Sequence, residues 1–223
     1  MNLSYEPHRK WKGFQTIQTI IHGVDVIQNL PQMFFVNITG GEPFMRQDLS
    51  EIVNILRKKS KRVIISTNGY FSDKIIDLCK RFPDIGIRIS IEGLAKTNDE
   101  IRGITNGFDR SLRTLLELQN LRIKDIGFAM TVQDLNSDDI IPLYLLARGL
   151  DCEFATAAVH NSHYFHKFDN KIENIEKVNS ELKKLIKLLL MSRKMKEWLR
   201  AYFNYGLINY IDGNDRLLPC EMG

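Results

Sequence analysis

Three short clusters in the first half of this 223-residue chain combine glycine with small polar or charged residues: Thr39-Gly40-Gly41-Glu42-Pro43, Ser66-Thr67-Asn68-Gly69-Tyr70 and Ser90-Ile91-Glu92-Gly93. In the first, two glycines remove Cβ atoms so that backbone amides and carbonyls can approach a ligand, and Pro43 stiffens the exit. A tight turn after a strand would explain Gly-Gly alone. Glu42 tips the balance toward a site, because its carboxylate can receive a ligand ammonium. Arg102, in Asn98-Asp99-Glu100-Ile101-Arg102-Gly103, carries a guanidinium able to fold back onto a ligand carboxylate, with an ordinary surface arginine as the alternative. His160, His163 and His166, with Asn161 and Tyr164 between them, would share one face if helical. No carboxylate lies close enough in sequence to complete a metal set, so they are read as lining the open end of the sheet or as partly buried polar residues.

Apolar runs rich in Ile, Val and Phe alternate with helical periodicities, the pattern of repeated βα units and a parallel sheet. Strands are predicted at Phe34 to Ile38, Arg62 to Ser66, Ile85 to Ile91, Asp125 to Val132 and Glu153 to Val159. Helices are predicted at Leu49 to Lys59, Asp73 to Phe82, Phe108 to Leu121 and Ser137 to Gly149, with another at about Phe14 to Leu30 ahead of the first strand. Asp48, Ser72 and Ser137 stand where N-caps belong, and Gly149 where a helix stops. Each of the three clusters follows a strand, and ligands of parallel α/β sheets sit at strand C-terminal ends. Three such loops in matching position favour a shared ligand rim. After Val159 the design changes to a polar, histidine-containing stretch and one long helix from about Ile172 to Tyr202.

The bulk properties exclude several classes. No apolar run approaches the roughly 18 residues of a membrane span, and Met1 to Lys12 lack the apolar segment of a secretory signal, so the expected address is the cytoplasm. Much of the basic excess, net +4, falls between Lys183 and Arg200, the mark of a solvated helix face more than of a nucleic-acid surface. Cys79, Cys152 and Cys220 are too scattered for a disulfide framework. Cys79 falls on an apolar helix face and Cys152 opens a strand, both as small buried hydrophobes. Cys220 differs, within Pro219-Cys220-Glu221-Met222-Gly223.

In order and spacing, Gly40-Gly41-Glu42-Pro43, Ser66-Thr67-Asn68-Gly69 and Ser90-Ile91-Glu92-Gly93 with Arg102 resemble the radical S-adenosylmethionine (radical SAM) family over nearly the whole chain. The resemblance implies an α/β fold, a partial (β/α)6 TIM-like barrel of parallel strands. It implies that Gly40, Gly41, Glu42 and Pro43 hold the SAM methionine amino group and that Ser90 and Arg102 meet its carboxylate. Ser66, Asn68 and Glu92 transfer to the same cofactor, and Thr131 and Val132 to its adenine side. The implied activity is reductive cleavage of SAM to a 5'-deoxyadenosyl radical that abstracts hydrogen from a substrate, a peptide by analogy with members that carry an auxiliary cluster region.

The family's 4Fe-4S cluster is held by three cysteines in CxxxCxxC, thiolates that suit a soft, electron-rich cluster. Here Met1-Asn2-Leu3-Ser4-Tyr5-Glu6-Pro7-His8, followed by Trp11, resembles the setting of that motif, with Met1, Tyr5 and His8 in the three ligand places and not expected to bind. The family's first barrel strand is expected to be missing. Cys220-Glu221-Met222-Gly223 resembles the opening of a SPASM or twitch auxiliary region, which leaves Cys220 as either an auxiliary cluster ligand or a simple thiol. The expected division is a core over residues 1–160 and a helical extension over 161–223. An alternative to the enzyme is a non-catalytic relic that keeps a SAM pocket or serves as a binding scaffold.

Overall fold

The structure is a computed structural model, and it describes residues 14–18, 24–161, 169–215 and 217. Among these, six strands form one sheet in sequence order, every neighbouring pair parallel: β1 Phe14–Gln18, β2 Met33–Thr39, β3 Ser60–Thr67, β4 Gly86–Ser90, β5 Ile126–Val132 and β6 Glu153–Ala158. The sheet curls into a half-barrel, the architecture that the alternating apolar runs and helical patterns predict. The middle of β3, Val63-Ile64-Ile65, is buried throughout, as expected for a strand covered on both faces.

Between the strands lie α1 Val24–Gln28, α2 Leu49–Lys59, α3 Ser72–Arg81, α4 Ala95–Arg102, α5 Gly107–Asn120 and α6 Ile140–Gly149. Their apolar stripes close the core against one sheet face: Leu49, Ile52, Val53 and Leu56 from α2, Ile75, Leu78 and Cys79 from α3, Leu115 and Leu118 from α5. Burial accounts for Cys79, whose thiol pKa is pushed up to about 12, so it is an inert core residue. After β6 come α7 Ile175–Leu190 and α8 Met195–Ile211. They pack on each other, α7 also on α6 and α8 also on β6.

Three sequence expectations are corrected. The helix predicted over Phe14 to Leu30 is a strand, β1, then the short α1; β1 pairs in register with β2 from Phe14 opposite Phe35 to Gln18 opposite Thr39, which satisfies its backbone groups. The single helix over Ile172 to Tyr202 is a helical hairpin broken at 191–194. The expected caps act otherwise: Asp48 precedes α2 without a capping bond and chelates Arg46 at 2.6 and 2.7 Å, while Ser72 Oγ accepts from Thr114 Oγ1 at 2.7 Å. Ser137 lies in a 3-10 turn ahead of α6, whereas α6 does end at Gly149 as expected, with Asp151 taking the left-handed conformation two residues later at φ 47°.

Candidate functional site

Strands β2, β3 and β4 end side by side, and each runs into a loop whose glycine has positive φ: Gly40 at 136°, Gly69 at 75° and Gly93 at 149°. Those backbone conformations disfavour side chains. At Gly93 a Cβ would also meet Asp139 Oδ2 at 2.6 Å. The three glycine clusters therefore form one rim at the C-terminal edge of the sheet.

Glu42 holds the first two loops together. Its buried carboxylate accepts from Thr67 Oγ1 at 2.7 Å and the Phe44 amide at 3.1 Å through Oε1, and from the Asn68 amide at 2.7 Å through Oε2. Pro43 is buried beneath it at the start of a 3-10 turn, while Gly41 is exposed at the loop's tip. Glu92 plays the same part for the third loop. Its Oε1 accepts from Arg102 Nη2 at 2.7 Å, its Oε2 accepts from the Thr131 amide at 2.8 Å, and its own amide donates to Asn98 Oδ1 at 2.9 Å. Burial pushes the Glu92 pKa up, opposed by the Arg102 charge and the Thr131 hydrogen bond.

Arg102 ends α4, where Gly103 turns the chain away with φ 63°. One of its nitrogens, Nε, is buried and meets no acceptor. The guanidinium borders a cavity of about 120 Å³ shared with Asn68, Ser90 and Ser111. A buried, positively charged donor without an acceptor is costly, and a ligand carboxylate entering this cavity would meet the same guanidinium. The residues present thus fit the methionine end of SAM.

The concave face of the half-barrel holds a second cavity of about 370 Å³, which Ser90 also lines. Its walls are small or polar, including Asn37, Ser66, Ala129, Thr131 and Ala155. Its floor is an ion network. Asp125 accepts from Arg62 at 2.7 and 3.0 Å and from Arg88 at 2.6 Å; Glu153 receives Lys196 at 2.6 Å and Arg200. The two guanidiniums hold the Asp125 carboxyl well below the usual carboxylate range, and burial near Arg88 and Arg62 pulls Arg200 down to about 10. Gly127 makes room, since a Cβ there would lie 2.1 Å from the Glu153 carbonyl oxygen.

Of the residues singled out from sequence, Gly40, Glu42, Asn68, Ser90, Glu92 and Arg102 come together along the rim. Ser66 faces the concave cavity and donates to Asn37 Oδ1 at 2.9 Å. Val132 is fully buried in the core, so its backbone alone can border a ligand; strand alternation turns Thr131 to the cavity instead. His160 is exposed and not helical, against the shared helix face that the spacing allowed. Met1, Tyr5, His8, Trp11, His163, Tyr164, His166 and Cys220 lie outside the described residues. Lys183, Lys184, Lys187, Arg193 and Lys194 form the solvated basic face expected of 183–200, while Lys196, also exposed, and Arg200 reach the ion network. Thr67, Asn98 and the network itself were not read from the sequence. Asn98 falls on the polar helix α4, and the ion pairs join residues far apart along the chain.

Among the described residues no group of three or more His, Cys, Asp or Glu is placed to hold a metal, and no helix is long and apolar enough to cross a membrane. The chain is 37% identical over 109 residues to the Fe-coproporphyrin III synthase of Methanosarcina barkeri, covering 48% of this chain and 27% of that protein. It is 32% identical over 127 residues to the mycofactocin maturase MftC of Mycolicibacterium smegmatis, covering 55% and 32%. It thus spans about a quarter to two fifths of the length of the curated relatives it matches. SuiB of Streptococcus suis, solved with S-adenosylmethionine and with its precursor peptide SuiA, has a similar fold at TM-score 0.57 and 18% identity, over 69% of this chain and 36–37% of SuiB. Membership of the family brings SAM and a 4Fe-4S cluster as its cofactors. The Radical SAM superfamily model matches residues 5–147, and the chain belongs to that superfamily.

Proposed function

We propose that this chain binds S-adenosylmethionine on the rim formed by Gly40 to Pro43, Asn68, Ser90 and Arg102, and receives a peptide in the adjoining half-barrel cavity. The observation that carries the first part is Arg102, whose buried Nε has no acceptor and which lines a cavity beside Ser90. Glu42 and Glu92 act mainly through the loops they tie, keeping the rim in shape before ligand arrives. The Gly40 and Gly41 backbone is left to meet the ligand ammonium. The peptide follows from likeness to a maturase, MftC, and to the fold of SuiB, solved with a precursor peptide.

In the family, SAM beside a reduced cluster would supply a carbon radical for hydrogen abstraction. Met1, Tyr5 and His8 present a thioether, a phenol and an imidazole where three thiolates serve the family, a donor set that does not suit cluster iron. The function proposed is therefore SAM and peptide binding without reductive cleavage through a cluster at those positions. Anaerobic reconstitution with iron and sulfide, electron paramagnetic resonance of the reduced sample and equilibrium dialysis with SAM test it. SAM retained with no reducible 4Fe-4S signal is expected. A reducible signal would overturn the loss of cleavage, and SAM passing freely through would overturn the rim.

A further inference from the structure

The half-barrel floor carries more positive charge than it neutralises. Among the described residues, Arg62, Arg88, Lys196 and Arg200 pair with two carboxylates, Asp125 and Glu153, and a third, Glu197, acts on Lys196. The Arg88 side chain is 7% exposed and that of Arg200 18%, while Arg62 at 35% and Lys196 at 48% open toward solvent. Excess buried charge is costly unless something of opposite sign completes it. The walls above keep space open for such a group. Barrel interiors are ordinarily filled by bulky branched side chains, whereas Ser66, Ala129, Ala155 and Ala157 leave about 370 Å³ here. Ser90 borders both this space and the Arg102 cavity, so a ligand on the floor would lie next to the cofactor rim.

We propose that the half-barrel cavity selects an acidic peptide, one glutamate or aspartate side chain reaching down to the floor so that its carboxylate meets Arg62, Lys196 and Arg200. This rests on the peptide reading above and adds the side chain selected. The three cations come from β3 and from two successive turns of α8, whose i, i+4 spacing sets Lys196 and Arg200 on one helix face. Arg62 already spends Nε and Nη2 on Asp125, and Arg200 spends Nη2 on Glu153 and Nη1 on the Phe154 carbonyl, so each would meet the incoming group through its charge and remaining N–H, while Lys196, its side chain 48% exposed, adds a mobile point charge. Glu153, which receives both Lys196 and Arg200, competes with the incoming carboxylate and limits how tightly it is held.

The test uses the full chain labelled with nitrogen-15 and titrated by nuclear magnetic resonance with two capped pentapeptides that differ only in a central glutamate or glutamine. The glutamate peptide should bind about tenfold more tightly, equivalent to about 1.4 kcal/mol, and should shift Arg62 and Arg200 side-chain signals. Lys196→Met should remove most of that preference and leave the glutamine peptide unaffected. Glu153→Gln should strengthen glutamate binding, a gain that damage to the fold would not produce; if this variant does not fold, the peptide pair and Lys196→Met still decide. Equal binding of the two peptides overturns the inference, as does an unchanged preference in Lys196→Met. Coproporphyrin III, a free tetracarboxylate, is the third probe: binding of it with no binding of the glutamate peptide would overturn the peptide as carboxylate source. Each titration is run with and without SAM. Loss of SAM binding with the glutamate preference intact would refute only the rim, and equal peptide binding with SAM retained would refute only this inference.

Discussion

Arg102 and Glu92 form an ion pair at 2.7 Å in which one guanidinium nitrogen is used and a second buried one, Nε, is left without an acceptor. The pair gives Arg102 two tasks. Through Glu92 it locks the third loop and the end of β5, and its side chain also lines the rim cavity. A purely structural arginine, with its nitrogens satisfied, would leave nothing for a ligand to complete.

Glu42→Gln should weaken the rim without touching the cavity floor. The amide oxygen can still accept from Thr67 and Phe44, but the amide nitrogen would confront the Asn68 N–H, which now donates to Oε2. The Asn68 amide is only partly buried, so leaving it unsatisfied should cost about 1 kcal/mol, the low end for a lost donor. Chemical denaturation should show a loss of that size, and SAM affinity should fall with it. A variant as stable as the parent would show that the carboxylate is dispensable.

Asp125 predicts a pH dependence. Arg62 and Arg88 hold its carboxyl below the unfolded value, so its contribution to stability is present above that value, near pH 4, and is lost as pH falls through the lowered folded-state pKa. Asp125→Asn should cost about 3 kcal/mol near neutral pH, because it strands the Arg88 charge. The gap between parent and variant should narrow as denaturation curves are taken below about pH 4. A gap of constant size would contradict the ion network.

Two glycine-to-alanine changes should have opposite signs. At Gly127 the new Cβ would lie 2.1 Å from the Glu153 carbonyl oxygen, so β5 and β6 must separate, at a cost of about 1–3 kcal/mol or more. At Gly149, in the last turn of α6, nothing lies within 4 Å, and alanine should stabilise by up to about 1 kcal/mol. Thermal unfolding of the two variants distinguishes these outcomes directly.

The five strands from β2 to β6 were legible because helices and barrel interior cover both faces of a parallel sheet, so runs such as Val63-Ile64-Ile65 and Phe128-Ala129-Met130 need few polar positions. Phe14 to Gln18 misled because Gln15, Thr16 and Ile17 suit a strand or a helix, and pairing with β2 decides. The polar helix α4 left little trace, since Asn98 alone of its residues is buried. The break between α7 and α8 contains neither glycine nor proline. The rim was legible because each of its loops announces itself with a positive-φ glycine beside polar residues. The ion floor was not, because Arg62, Arg88, Asp125, Glu153 and Arg200 meet across β3, β4, β6, α8 and the loop before β5, and each looks ordinary in its own stretch of chain.

The SAM rim is tested most directly by isothermal titration calorimetry of SAM against the parent, Arg102→Lys and Arg102→Ala, each first shown to be folded by circular dichroism. Lysine keeps the charge but not the Nε–H donor, so its affinity should fall about tenfold, and alanine's should fall further, by an amount equivalent to about 1.5–3 kcal/mol for a lost charged hydrogen bond. Equal SAM affinity in all three folded proteins would contradict the account.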